Sequence, residues 1–299
     1  MASADTGGFG ARCFVALQYL LPHHLLSRLV FWATRSKCVW WKSWLIRSFL
    51  RHFDVNMAEA AEPDLFAYTS FNHFFTRALR AGVRNTQAGA SSIVSPVDGT
   101  VSAAGTIHGD RLLQAKGHDY SLEDLLAGDA GLARTFHGGK FATLYLAPYN
   151  YHRIHMPLAG VLRTTTHVPG RLFSVNAITA TLVPRLFARN ERVICAFDTD
   201  SGRLAVILVG ALFVGSMATV WAGDITPRRA ARPTRLDAPA QPVRLERGAE
   251  LGRFNMGSTV ILLLPNSAEW ADTLLAGSLV RVGETIGRFN PSQAGARLS

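Results

Sequence analysis

The stretch VICAFDTDSGRLAVILVGALFV, residues 193–214, decides the fold class. Two runs of β-branched and aliphatic residues, Val193–Phe197 and Leu204–Val214, flank the turn-forming cluster Asp198-Thr-Asp-Ser-Gly202. Short runs of this kind bounded by Asp and Gly read as two strands joined by a hairpin. Working outward, Phe141–Ala147, Met217–Trp221, Thr259–Leu264 and Leu279–Val282 repeat the pattern without a regular strand–helix alternation. The expectation is an α+β protein with a β-rich, sandwich or barrel-like core. At 299 residues, 48% hydrophobic and 17% charged, the chain is long and apolar enough to bury such a core and is not disordered. Cys13, Cys38 and Cys195 are odd in number and widely spaced, which argues against a disulfide framework or a zinc site.

The first sixty residues have a different texture. Residues 1–56 carry seven Lys or Arg (Arg12, Arg28, Arg35, Lys37, Lys42, Arg47, Arg51) against Asp5 and Asp54, so half of the net +10 sits there. Trp32, Trp40, Trp41 and Trp44 lie in the same segment among leucines at helical spacing. Pro22 ends the first apolar run after about two turns, and basic residues punctuate the rest, so a spanning helix would bury charges at roughly 2.5–3.5 kcal/mol each. MASADTGGFG, residues 1–10, lacks the basic start of a signal peptide. Residues 1–60 therefore read as an amphipathic helical module lying on an anionic membrane surface, with an ordinary helical hairpin packed on the core as the plainer alternative. No recognition motif accompanies the basic charge, which speaks against nucleic acid.

Beyond residue 60, DLFAYTSFNHFFTRALR at 64–80 places Phe66, Phe71, Phe74, Phe75 and Leu79 at helical spacing, and Gly223–Arg247, with four prolines and six arginines, reads as an extended solvated crossing. Three segments carry chemistry: SPVDGTV at 95–101, NYHRIHMP at 150–157 and RFNMGSTV at 253–260. Singly each is weak. Asp98-Gly99 after a proline is commonly only a turn. His152 and His155 lack a third ligand at metal spacing, so no metal is expected. Gly215-Ser216 repeats the Gly257-Ser258 dipeptide in similar surroundings.

Together, and with LQYLLP, YLAPYNYHRIHMPLAG, VPGRLFSVN and LVGALFVGSMATVWAG, these segments resemble the phosphatidylserine decarboxylase family in its bacterial form over nearly the whole chain. The family's L-G-S-T motif has Met256 here in place of the commoner leucine, a swap of similar volume. The resemblance implies self-cleavage between Gly257 and Ser258, dividing a catalytic domain of residues 61–299 so that a β chain 1–257 pairs with an α chain 258–299. Ser258 would become a pyruvoyl group, a self-derived cofactor whose ketone condenses with the amine of phosphatidylserine and takes up the electron pair left as CO2 departs. By the same resemblance Asp98, His155 and Ser258 form a Ser-His-Asp arrangement for cleavage, and His152 donates a proton or places the carboxylate during decarboxylation.

The resemblance further implies phosphatidylethanolamine as product, a peripheral protein on the cytoplasmic face of a bacterial inner membrane, and compatibility with a homodimer. Phe71, Phe74 and Phe75 are expected either at the substrate entrance or in the core. Two other classes use some of the same features. An intact-chain Ser-His-Asp hydrolase would need only the three residue types, although G-x-S-x-G is absent around Ser258, and a non-catalytic membrane protein would need only residues 1–56.

Overall fold

The computed structural model describes residues 8–289 apart from 86, 116, 117, 214, 215 and 229. Expectations that touch the first seven residues, Val214, Gly215, Arg229 or the last ten residues of the proposed α chain lie outside the described residues.

Three helices come first: α1 (Phe9–Leu20), α2 (His23–Arg35) and α3 (Val39–His52). Pro22, which has no N–H to donate, separates the first two. Many of the large apolar side chains on these helices face outward. The helices' buried residues are Gln18, His23, Ser27, Thr34 and Lys42 with Val15 and Ile46, and Leu45, Phe49 and Leu50 of α3 pack partly buried against the core. Outward the helices turn Leu17 and Leu20 of α1, Leu25, Leu29 and Trp32 of α2, and Trp40 and Trp44 of α3, all more than half exposed. A fourth, short helix α4 (Phe71–Phe75) starts where Ser70 Oγ accepts from the His73 N–H. Its three phenylalanines are core rather than entrance: Phe71, Phe74 and Phe75 pack with Ile46 and Tyr68 in a cluster beneath α3.

The remainder is β-rich, so the helices-then-strands division expected from the sequence is what the chain adopts. Among the described residues nine strands form the main sheet. Its middle runs, in spatial order, Gly160–Val168, Arg192–Thr199, Gly202–Val209, Ser258–Leu264, Lys140–Leu146 and Gly99–Thr106, all antiparallel. Every residue of Ser258–Leu264 and all but two at the start of Gly202–Val209 are buried. These central strands are therefore covered on both faces, which is why they read as continuous apolar runs rather than alternating ones. The hairpin closes where predicted, with Thr199 paired to Gly202, whose φ of 112° only glycine adopts easily. Residues 223–247 are largely exposed and touch the main sheet through two short strands, Thr234–Arg235 and Arg244–Leu245, both along Gly160–Val168.

A second sheet of four short strands positions the chemistry. Its order is Gly223–Asp224, Met217–Thr219, Glu250–Phe254, Arg153–His155. The chain leaves this sheet after Phe254 and enters the main sheet at Ser258, so the Gly257–Ser258 bond lies in the crossing between the two.

Candidate active site

Ser258 opens the main-sheet strand opposite Leu146 and is fully buried. Its Oγ has no hydrogen-bond partner. A buried hydroxyl left unpaired forfeits roughly 1–3 kcal/mol, so this one calls for an explanation. Ser216 behaves oppositely. Its Oγ accepts from Arg35 Nη2 at 2.9 Å and from Asn255 Nδ2, and donates to Asp224 Oδ1 at 3.2 Å. A hydroxyl so fully engaged is a structural group, and the repeated Gly-Ser dipeptide separates into one occupied and one free serine.

His152 stands at the same joint. A Cβ placed on Gly257 would lie 3.8 Å from His152 Nε2 and 3.4 Å from the Leu146 carbonyl oxygen. The ring's Nδ1 donates to the Asn150 carbonyl at 2.8 Å, which leaves the Nε2 lone pair unpartnered in a fully buried position. Phe75 covers the ring at a centroid distance of 4.1 Å. Burial pushes the imidazole pKa down to about 3, with the Asn150 carbonyl opposing and the nearby Arg77 charge adding to the fall. His152 is thus neutral at physiological pH and presents a proton acceptor.

That shift carries a stability consequence. The unfolded chain takes up the His152 proton near the ordinary value of 6.5, but the folded chain does not until about pH 3. The native state therefore loses stability as pH falls below 6.5, by about 2 kcal/mol from this residue at pH 5. Burial lowers His23, His73 and His155 as well, in the same direction. Urea unfolding of an uncleaved variant is expected to show a falling midpoint between pH 7 and pH 5, with a shallower fall in His152→Gln. A flat midpoint would contradict a neutral buried imidazole.

His155 and Asp98 are engaged with other groups. His155 Nδ1 donates to the Gly248 carbonyl at 2.7 Å, and its Nε2 accepts from the Tyr151 hydroxyl at 3.0 Å. Its backbone N–H donates to the Pro96 carbonyl, which ties the His155 strand to the SPVDGTV turn. Asp98 accepts from Arg84 through both oxygens and from the Val282 N–H at 2.8 Å. Arg84 in turn holds Glu59 at 2.6 Å. Gly99 is required next to Asp98 because a Cβ there would lie 2.5 Å from the Tyr145 carbonyl oxygen. The fold thus brings His152 to the Gly257–Ser258 joint, while Asp98 and His155 are bonded to other partners and neither to each other nor to Ser258.

Sequence reasoning missed two residues. Arg77 is 5% exposed, its Nε has no partner, and its charge acts on His152. An arginine within the apolar run FFTRALR was the available signal. Asn255, two residues before Gly257, is 2% exposed and joined to Asn72 of α4 at 3.0 Å, to Ser216 and to Asp224. Arg35 of α2 closes the same network. No spacing rule reveals it.

The sequence profile described as phosphatidylserine decarboxylase matches residues 71–288, and a second, PSD, matches residues 13–54. A phosphatidylserine decarboxylase proenzyme of Ectopseudomonas mendocina is 53% identical over 279 residues, covering 92% of this chain and 98% of its own. The proenzymes of Pseudomonas aeruginosa and Pseudomonas putida are 54% and 52% identical, covering 93% and 95% of this chain and 97% and 99% of their own. Matched by that profile over most of its length and by these relatives nearly end to end at more than half identity, the chain belongs to the phosphatidylserine decarboxylase family.

Proposed function

We propose that the protein decarboxylates phosphatidylserine to phosphatidylethanolamine and CO2, using a pyruvoyl group made from its own Ser258 by breakage of the Gly257–Ser258 bond. The observation that carries this reading is the pair of orphaned, fully buried atoms at one joint, Ser258 Oγ and His152 Nε2. Local frustration of this kind is expected where a fold gives up stability for chemistry. A serine with no exposure is well placed to attack the carbonyl next to it in its own chain.

In cleavage, Ser258 Oγ adds to the Gly257 carbonyl carbon as a base takes its proton, the C–N bond breaks to leave an ester, β-elimination releases the Gly257 carboxylate, and the dehydroalanine left at 258 takes up water and loses ammonia to give the ketone. We assign that base to His155 and its electrostatic support to Asp98, which requires the imidazole to release Tyr151 and turn toward the joint. The free Nε2 of His152 beside Gly257 supports a second reading, in which His152 is the cleavage base. The residues around position 258 suit the group made there, being apolar, buried and next to a free proton acceptor. A pyruvoyl group supplies a ketone conjugated to an amide, an electron sink that no ordinary side chain provides. For turnover the chain contributes His152 Nε2 as an acceptor that takes up a proton and passes it to the reacting carbon. Phe75 and Leu146 keep water from the joint, and the Arg77 charge disfavours protonation of the resting ring. Incubating the matured protein with phosphatidylserine and cyanoborohydride is expected to attach lipid covalently to the fragment beginning at position 258. Labelling of the larger fragment instead would refute the assignment.

Among the described residues no helix is long and apolar enough to cross a membrane. We propose peripheral binding to the cytoplasmic face of a bacterial inner membrane through the outward apolar side chains of α1 to α3 and the basic residues among them. Deleting the helices would strip Val15 and Ile46 from the core, so the cleaner test is Leu25→Glu, Leu29→Glu and Trp32→Glu together, all exposed positions. With roughly 1.5–3 kcal/mol per large apolar side chain, affinity for vesicles of zwitterionic and anionic lipid should fall at least about a hundredfold with unchanged melting. Undiminished flotation with vesicles would place the membrane contact elsewhere.

A further inference from the structure

Between α2 and the core lies a cavity of about 680 Å³, a size suited to a small polar ligand. Two of its walls adjoin the cleavage joint. Thr259 pairs with Val209, so one step along the antiparallel register sets Gly210, a cavity residue, beside Ser258. Ser216, on another wall, is bonded to Asn255 just ahead of Gly257. The opposite side belongs to α2, where Ser27 and Arg28 line the space, and Arg228 reaches in from the crossing segment.

The chemistry of this lining selects an anion. Arg28 and Arg228 are exposed and make no ion pair among the described residues, although they face one volume. Ser27 is 5% exposed, yet its Oγ has no partner. The lining's carboxylate, Glu191, is already bonded to His167 Nε2 at 2.9 Å. Two unpaired guanidinium groups and an orphaned hydroxyl around one space are the donor set that recognises phosphate oxygens. On either side of Arg28, Leu25 and Leu29 stand exposed, in position to continue the site along acyl chains.

We propose that this cavity takes the phosphodiester of the phosphatidylserine headgroup, held by Arg28 and Arg228 with Ser27 Oγ as a neutral donor. The serine end then extends past Gly210 and Ser216 to position 258. The inference rests on the decarboxylase reading and adds to it the residues that grip the lipid.

The test is the dependence of CO2 release on phosphatidylserine content in neutral detergent micelles, for the wild type and for Arg28→Gln/Arg228→Gln, after electrophoresis has shown equal maturation. The double variant is expected to raise KM by roughly tenfold or more with kcat within about twofold, since each lost charge-assisted bond is a binding term remote from the reacting carbon. The difference should persist in 1 M salt, where the screening length is about 3 Å, because direct contacts survive screening that abolishes diffuse attraction. A difference that vanishes in 1 M salt overturns the proposal in favour of general surface charge. An unchanged KM with lost retention on phosphatidylglycerol vesicles overturns it in favour of a site for a non-substrate lipid. Ser27→Ala supplies a second, milder variant and should raise KM about threefold without slowing kcat. A wild type that releases no CO2 removes the decarboxylase reading and this one together. A wild type that turns over while the double variant keeps its KM removes this one alone.

Discussion

Ser258→Ala should run on denaturing electrophoresis as one uncleaved chain of 32.5 kDa, with no CO2 release from phosphatidylserine at any enzyme concentration. The expectation follows from what the hydroxyl alone supplies, because alanine removes the nucleophile for cleavage and with it the atoms from which the ketone is made. Folding should survive. Ser258 Oγ makes no hydrogen bond, so its loss breaks none and removes an unsatisfied buried group. The variant should therefore melt no lower than the wild-type precursor, which separates a chemical defect from a structural one. Normal cleavage in Ser258→Ala would move the site elsewhere, and Ser216 would have to give up its bonds to Arg35 and Asn255 to serve.

The two histidines should fail differently. His155→Ala is expected to slow maturation by roughly 10²–10⁴-fold, the usual worth of a general base, and to accumulate precursor in a time course after synthesis. His152→Ala is expected to mature but to lose turnover by a similar factor, since its free Nε2 stands where the reacting carbon must be protonated. The opposite pattern, precursor in His152→Ala and ready cleavage in His155→Ala, would assign the cleavage base to His152 and leave His155 as a partner of Tyr151 and Gly248.

The central sheet was readable because its strands are covered on both faces. Val193–Phe197 and Thr259–Leu264 are unbroken apolar runs, and Asp198–Gly202 announces their hairpin. Leu204–Val214 read too long, because the ladder stops at Val209, where Gly210 packs so closely that a Cβ would meet the Glu191 carbonyl oxygen at 3.1 Å. Gly160–Val168 was not legible as a strand. Its Arg163-Thr-Thr-Thr-His167 stretch lacks an apolar run, and it lies near the sheet edge, half exposed along much of its length. Gly99–Thr106 escaped because small residues give no strand signal, although close approach of the Tyr145 carbonyl demands one at Gly99.

The site was legible as residue types and motif order, and not as geometry. His152 and His155 are equivalent in NYHRIHMP until the fold turns one toward Gly257 and the other toward Gly248. Phe71, Phe74 and Phe75 offered entrance or core equally, and burial beneath α3 decides for core. The amphipathic pattern of residues 1–56 was visible, but which face meets the core was not. That required seeing Gln18, His23, Ser27 and Lys42 turned inward and Leu17, Leu20, Leu25, Leu29, Trp32, Trp40 and Trp44 left outside.

The intact mass of the purified, active protein tests the central claim most directly. Two chains are expected, 1–257 and 258–299, the smaller lighter by one ammonia than a simply hydrolysed fragment and blocked to stepwise N-terminal degradation. An active preparation with a single continuous chain, or with a small fragment that begins in an ordinary serine, would contradict it.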